Sequence, residues 1–357
     1  MTSSQPIAVV GGGIAGLNVA LRLLRAGHAV TLFEKQRGPI DKVCGEGVLP
    51  FGVKHLEDLG LAVVLRQLGA PFHGIEYRMG TRRVAGSFAD GEHGIGISRF
   101  EIDRLFRARC AAFDAFERVE GRKVTREDLT DFAQVIAADG VHSPLARACG
   151  RRVRMGRRLG VRFRVQAPAP PRVRVSFFDF GEMYITPVAA DAISVAMLLE
   201  GDRVPHGKKL QSWCMTQFQR AFPEYDGAVD HFATRGHIVA SFAGPRPDFH
   251  LVGDALHTFD PISGAGMSAA LAGGAACVTH LHDARAYFQA MAPLVGSVRN
   301  FTRVILAFRG GGLRTRLMLA RLGRAPTTFD RILALHDGVH QPWQLGLRAA
   351  LPLLRPW

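Results

Sequence analysis

The chain has 357 residues, 47% of them hydrophobic and 21% charged, which excludes an intrinsically disordered protein and allows two modest domains or one large α/β unit with an inserted layer. Five scattered cysteines (Cys44, Cys110, Cys149, Cys214, Cys277) form no C-x-x-C pair, excluding a zinc ribbon and a disulfide framework and fitting a reducing compartment. Lysine plus arginine (45) exceed aspartate plus glutamate (31) by 14, which favours anionic surfaces and acidic ligands, but the arginines are dispersed and form no nucleic-acid motif, so no nucleic-acid partner is expected.

The opening MTSSQPIAVVGGG carries no basic leader or cleavage site, so its apolar run is read as a first strand, Ile7–Val10, of a cytoplasmic protein. A glycine turn, a helix over Leu17–Ala26 and a strand over Ala29–Phe33 complete a βαβ opening. Short strand-like pieces alternate from Pro71 to Ile97, a change of period that marks another layer; Phe100–Phe113 returns to helical spacing and Phe132–Ala138 to a buried strand. Four strands rich in Val, Phe and Ile follow at Val161–Gln166, Val173–Phe178, Met183–Thr186 and Ile193–Leu199. Lys209–Phe222 reads as a helix, His250–Val252 as a short strand and Met267–His280 as an alanine-rich helix entered through glycines. Asn300–Trp357 mixes helical apolar spacing with repeated arginines, and no stretch approaches the roughly 18 apolar residues of a spanning helix.

The most specific motif is Gly11-x-Gly13-x-x-Gly16, placed between an apolar strand and a helix and followed by Glu34 at the end of the next strand. Gly11 permits the tight turn, Gly13 lets backbone amides approach a pyrophosphate, and Gly16 allows helix and strand to pack closely. The helix N-terminus supplies partial positive charge to the diphosphate, and Glu34 stands where a carboxylate accepts hydrogen bonds from ribose hydroxyls. Ile14 and Ala15 within the turn and Lys35 beside the carboxylate complete this group of cofactor contacts. The fingerprint alone does not separate FAD from NAD.

Three further segments decide. Leu251-Val-Gly253-Asp254-Ala-Leu-His257, the loop Asp260-Pro261-Ile-Ser-Gly264-Ala265-Gly266-Met267, and Ala137-Ala-Asp139-Gly140-Val-His-Ser143 together resemble the flavoprotein superfamily containing para-hydroxybenzoate hydroxylase and the geranylgeranyl reductases. The resemblance implies FAD as cofactor, Asp254 on its ribityl chain, the 261–267 loop beside the isoalloxazine ring, and Arg99 at a helix start near the phosphates or ribityl oxygens. It implies an α/β fold: a Rossmann-type FAD-binding domain (glutathione-reductase-like) over residues 1–70, 98–158 and 240–300, an inserted β-sheet substrate domain over 71–97 and 159–239, and a helical C-terminal segment over 301–357. Amides of a glycine-rich turn leading into a helix would also stabilise the charge that reduction places on a flavin.

Asp41-Lys42-Val43-Cys44-Gly45-Glu46-Gly47 looks like the Cys-Gly segment that lies against the flavin in geranylgeranyl-reductase-like proteins, and Gly181-Glu182-Met-Tyr184-Ile-Thr-Pro187 resembles an element lining their substrate cavity. Cys44, Glu46, Tyr184 and His257 are therefore the expected catalytic residues; the histidines show no metal-ligand spacing. The expected reaction is hydroxylation or epoxidation of a small hydrophobic or aromatic substrate through a flavin C4a-hydroperoxide, with NADH or NADPH as transient electron donor. Saturation of carbon–carbon double bonds is the alternative. Halogenation ranks third, because Leu17 stands where halogenases of this architecture carry tryptophan and W-x-W-x-I-P is absent. The basic stretch from Arg303 to Arg355 is a surface suited to peripheral contact with the inner face of a membrane.

Overall fold

A computed structural model describes residues 5–240, 250–307 and 309–336. The chain begins β1 (Ile7–Val10), α1 (Ile14–Arg25), β2 (Val30–Glu34), then β3 (Gly47–Val48), α2 (Pro50–Glu57), α3 (Ala62–Leu68), β4 (Ala70–Phe72), β5 (Gly74–Met79), β6 (Arg82–Ser87) and β7 (Gly94–Gly96). It continues through α4 (Arg99–Ala111), β8 (Phe116–Glu120), β9 (Gln134–Ala137), α5 (Pro144–Ala148), β10 (Val153–Gln166), β11 (Val173–Phe178), β12 (Gly181–Ala189) and β13 (Ala192–Glu200). The remaining elements are α6 (Lys209–Ala221), β14 (Val229–Ala240), β15 (His250–Leu251), α7 (Gly266–Thr279), α8 (Ala284–Ala307), α9 (Leu313–Arg324) and α10 (Pro326–His336).

A parallel sheet ordered β15-β9-β1-β2-β8 carries the nucleotide motif. All four residues of β1 are buried, as expected for a central strand covered on both faces, which explains why Ile7–Val10 is a continuous apolar run. Asn18 of α1 donates to the Leu271 carbonyl at 3.0 Å and ties α1 to α7 across one face.

The second sheet is ordered β14-β10-β13-β12-β11-β5-β6; among its pairings β5–β11 is parallel and the rest are antiparallel. Alternation divides its residues between two faces. Val161, Phe163, Met183, Ile185 and Val195 pack outward with Leu210, Cys214 and Phe218 of α6, whereas Val173, Val175, Phe177 and Tyr77 join Phe301, Met318 and Phe329 of α8, α9 and α10. Residues 71–97, expected in one layer, are shared: β7 pairs with both β3 and β4 in a small third sheet, and β5 and β6 form one edge of the large one. Of the expected C-terminal segment, residues 337–357 lie outside the described residues, as do 241–249 of the expected nucleotide domain.

Candidate functional site

The glycine turn is built by close backbone approach. Gly11 has φ +108°, and a Cβ there would stand 2.4 Å from the Ala138 carbonyl oxygen; a Cβ on Gly16 would meet the Gly11 carbonyl oxygen at 1.9 Å. Only glycine fits either position without moving the backbone. The Gly12 amide donates to Glu34 Oε2 at 2.6 Å and the Gln36 amide to Oε1 at 2.9 Å, so the buried carboxylate shapes the turn. No side chain caps α1 at Gly13, which leaves its first amides directed at the turn.

Around this N-terminus the sequence motifs converge. Gly253 packs against Ala15, a Cβ on it falling 2.7 Å from that of Ala15, which brings Asp254 beside the turn. Asp254 Oδ2 accepts from Lys42 Nζ at 2.7 Å, and the lysine is first among the charges that hold its carboxyl below the usual range against the opposing effect of burial. Asp139 lies against Gly11 with Oδ1 buried and unpartnered among the described residues; burial pushes its carboxyl up, and Gly140 follows at φ +84°. Lys35 is exposed at the rim.

Arg99 tests whether these residues fit a diphosphate. Its side chain is buried, its Nη1 has no partner among the described residues, and its Nη2 comes within 4.0 Å of a Cβ position on Gly13. A buried guanidinium with an unused N–H beside an uncapped helix N-terminus is the donor set that a doubly charged pyrophosphate requires. The fit to a dinucleotide is therefore chemical as well as topological.

The loop before α7 is stiffened from within. Asp260 caps it by accepting from the Ile262 amide at 3.0 Å, Gly264 takes φ +65°, and α7 starts at Gly266 without a side-chain cap. Pro261 opens the turn, while Ala265 and Met267 are buried. Two contacts bring other segments to this loop: the Leu49 amide donates to Ser268 Oγ at 2.8 Å, and the Tyr184 hydroxyl donates to the Ile262 carbonyl at 3.4 Å. Thr186 lies 3.6 Å from a Cβ position on Gly47. Cys44–Gly47, Tyr184–Pro187 and Pro261–Gly266 thus surround one region of the molecule.

The four expected catalytic residues have different surroundings. Burial raises the Cys44 thiol, whose Sγ accepts from the Glu46 amide at 3.4 Å. Glu46 is fully buried with φ +58°; its Oε1 accepts from the Arg99 amide at 2.8 Å and from Arg164 Nη2 at 2.6 Å, so it joins α4 to β10. Burial also raises the Tyr184 phenol well above its ordinary value. His257 packs edge-on against Phe259 and is driven down to about 4 by burial, then by Arg151 and Arg299, which keeps it neutral at physiological pH.

Several residues here had no sequence signal. Arg151 is buried and donates to the Ala255 carbonyl and, at 2.7 Å, to Thr258 Oγ1, pinning the segment that carries Asp254. Arg162 pairs with Asp41 at 2.6 Å, and Arg158 binds both carboxylate oxygens of Asp260. Their alternate positions on β10 could have shown that Arg158, Arg162 and Arg164 share a face, but not which acids they meet.

Residues 6–41 match the FAD dependent oxidoreductase family model. A menaquinone reductase of Mycobacterium tuberculosis is 32% identical over 170 residues, and the match spans 42% of this chain and 41% of that protein. A 3-amino-4-hydroxybenzoate 2-monooxygenase of Streptomyces platensis is 33% identical over 40% of this chain and 41% of its own. The 6-methylpretetramide 4-monooxygenase of Streptomyces rimosus is 28% identical over 74% of this chain and 72% of its own. Among solved structures, a flavin-dependent brominase superposes with a TM-score of 0.75 at 16% identity over 98% of this chain and 97% of its own. A probable FAD-dependent monooxygenase from Pseudomonas aeruginosa superposes with 0.65 at 19% over 92% and 99%.

The fold is that of the solved flavin-dependent enzymes it superposes on, and the first βαβ unit with its fingerprint is the part that matches the FAD dependent oxidoreductase model. The family match covers residues 6–41, and the curated relatives at 32–33% identity are matched over about two fifths of their own length. No helix among the described residues is long and apolar enough to cross a membrane.

Proposed function

We propose that the protein is an FAD-dependent monooxygenase that hydroxylates or epoxidises a small hydrophobic or aromatic substrate, drawing electrons from NADH or NADPH. The observation that carries this reading is the convergence of three segments on one region, marked by the Tyr184–Ile262 and Leu49–Ser268 hydrogen bonds. Gly11, Gly13, Ile14, Ala15, Gly16, Arg99, Asp139 and Gly140 would hold the diphosphate end. Glu34 and Lys35 would hold the adenosine side, Gly253 and Asp254 the ribityl chain, and the 261–267 loop the ring. Lys42 must yield Asp254 to the ribityl hydroxyls or share it with them. When bound, FAD supplies two-electron chemistry and, once reduced, reactivity toward dioxygen.

The chain's own residues bind, orient and exclude water. Phe177, Val175 and Tyr184 present apolar area on the β11–β12 face of the large sheet, which is the substrate layer in this reading, with α8 to α10 as its cover. Glu46 acts through Arg164 and Arg99, fixing the segment that carries Cys44. Relatives named for 3-amino-4-hydroxybenzoate and 6-methylpretetramide support the aromatic substrate class. Double-bond reduction is the second reading, favoured by the menaquinone reductase match and by Cys44-Gly45-Glu46. Product masses separate them: a gain of one oxygen supports monooxygenation, and a gain of two hydrogens supports reduction. Arg309, Arg314 and Arg316 around exposed Leu313 support a further proposal, peripheral contact with an anionic membrane.

A further inference from the structure

Glu182 on β12 is fully buried, yet its Oε1 has no hydrogen-bond partner among the described residues. It lies two residues before Tyr184, so both side chains project from the same face of the strand, the one from which Tyr184 reaches the Ile262 carbonyl. Its Oε2 is 3.4 Å from Arg158 Nη1, a long contact, while Nη2 of the same guanidinium binds both oxygens of Asp260.

One cation thus serves two acids in a nearly dry place. The other charges around Glu182 are Glu200 of β13, which adds negative field, and Arg309 beyond α8, whose Nε lies 3.9 Å from Glu200. Arg309 offsets Glu200 only in part, and the Arg158–Asp260–Glu182 group has two acids to one cation. Asp260 has the short contact through both oxygens and Glu182 only the long one, so Glu182 is the acid that the cation serves less well. Burial first, opposed by Arg158 and reinforced by Glu200 and Asp260, lifts the Glu182 carboxyl to about 7. A protonated carboxyl is a hydrogen-bond donor, and the Oε1 of this one has no partner among the described residues.

We propose that Glu182 holds a proton in the resting site and donates its hydrogen bond to a carbonyl oxygen of an aromatic ligand seated against the 260–266 loop. This rests on the flavin-site reading of that loop. Among the acids of this region it is the one placed to offer a proton: Glu46 is tied to Arg164 and Arg99, Asp254 to Lys42 and Asp260 to Arg158.

Infrared difference spectroscopy on the full-length protein tests it, with menadione as the carbonyl-bearing probe. The wild type is expected to lose a neutral-carboxyl band with a midpoint near the Glu182 value of about 7, and Glu182→Gln to lack that band. Menadione should shift the band in the wild type. Glu182→Ala should bind menadione about tenfold more weakly, the loss expected for one hydrogen bond, while the amide of Glu182→Gln retains a donor and stays within about threefold of wild type. A band that titrates unchanged in Glu182→Gln, or one that menadione leaves unmoved, overturns the proposal. FAD content is measured separately by absorption; its absence would strike the flavin reading, and the band reports Glu182 either way.

Discussion

Replacing Arg99 by methionine separates a cofactor-binding role from a structural one. Methionine keeps a flexible apolar stem and removes the charge, while the backbone amide at 99 still donates to Glu46 Oε1, so the Glu46 bridge survives. In the cofactor-free protein the lost group is a buried guanidinium whose Nη1 bonds to nothing described, so little internal hydrogen bonding disappears. Thermal stability without FAD should therefore stay the same or rise, because a buried charge lacking full compensation is itself costly. With FAD the balance reverses. One charge-assisted hydrogen bond to phosphate is worth about 1.5–3 kcal/mol, so FAD affinity should fall roughly 10- to 100-fold. Arg99→Lys should fall between, since a point charge replaces the planar fork. Ultrafiltration of protein titrated with FAD, alongside thermal melts with and without it, reads both quantities. Unchanged FAD affinity together with lower cofactor-free stability would refute the reasoning and make Arg99 a structural residue.

Other outcomes follow from the buried ion pairs and the basic surface. Arg164→Met leaves the Glu46 carboxylate, fully buried and at φ +58°, with the Arg99 amide as its remaining contact; urea unfolding should show a loss of about 3–5 kcal/mol. Glu182 has a folded-state value raised from 4.5 to about 7, so its contribution is fully present below pH 4.5 and is lost as pH rises through 7. Glu182→Gln should accordingly be more stable than wild type at pH 8, by up to about 3 kcal/mol in urea unfolding, with the gain vanishing near pH 4.5; a gain independent of pH would contradict it. If Leu313 and its neighbouring arginines meet a membrane, the protein should sediment with anionic but not neutral liposomes, and equal partition onto both would remove that reading.

The nucleotide half of the fold was legible because its signals are local. A buried apolar strand, glycines at fixed spacing and an acidic residue one strand later all lie within residues 7–34, and the structure shows each with a direct steric or hydrogen-bond reason. The proposed substrate side was less legible because its organising contacts are long-range and ionic. Lys42 meets Asp254 from 212 positions away, Arg158 meets Asp260 from 102, and Arg164 meets Glu46 from 118. Periodicity puts the arginines on one strand face but carries no information about the loops that fold over it. Glu46 shows the limit clearly: the motif around it carries no sign of the left-handed backbone or of the Arg99 amide and Arg164 guanidinium that hold its buried carboxylate. Residues 71–97 read as a single layer because strand alternation does not reveal which sheet a strand joins.

The central claim is that this flavin site transfers oxygen to an aromatic substrate. Turnover of FAD-loaded protein with NADH or NADPH under ¹⁸O₂, using 3-amino-4-hydroxybenzoate and menadione as trial substrates, tests it most directly by mass spectrometry of the products. The account predicts a product carrying one labelled oxygen atom, formed only when FAD is bound. A product that gains two hydrogens and no label would contradict it and transfer the site to double-bond or quinone reduction.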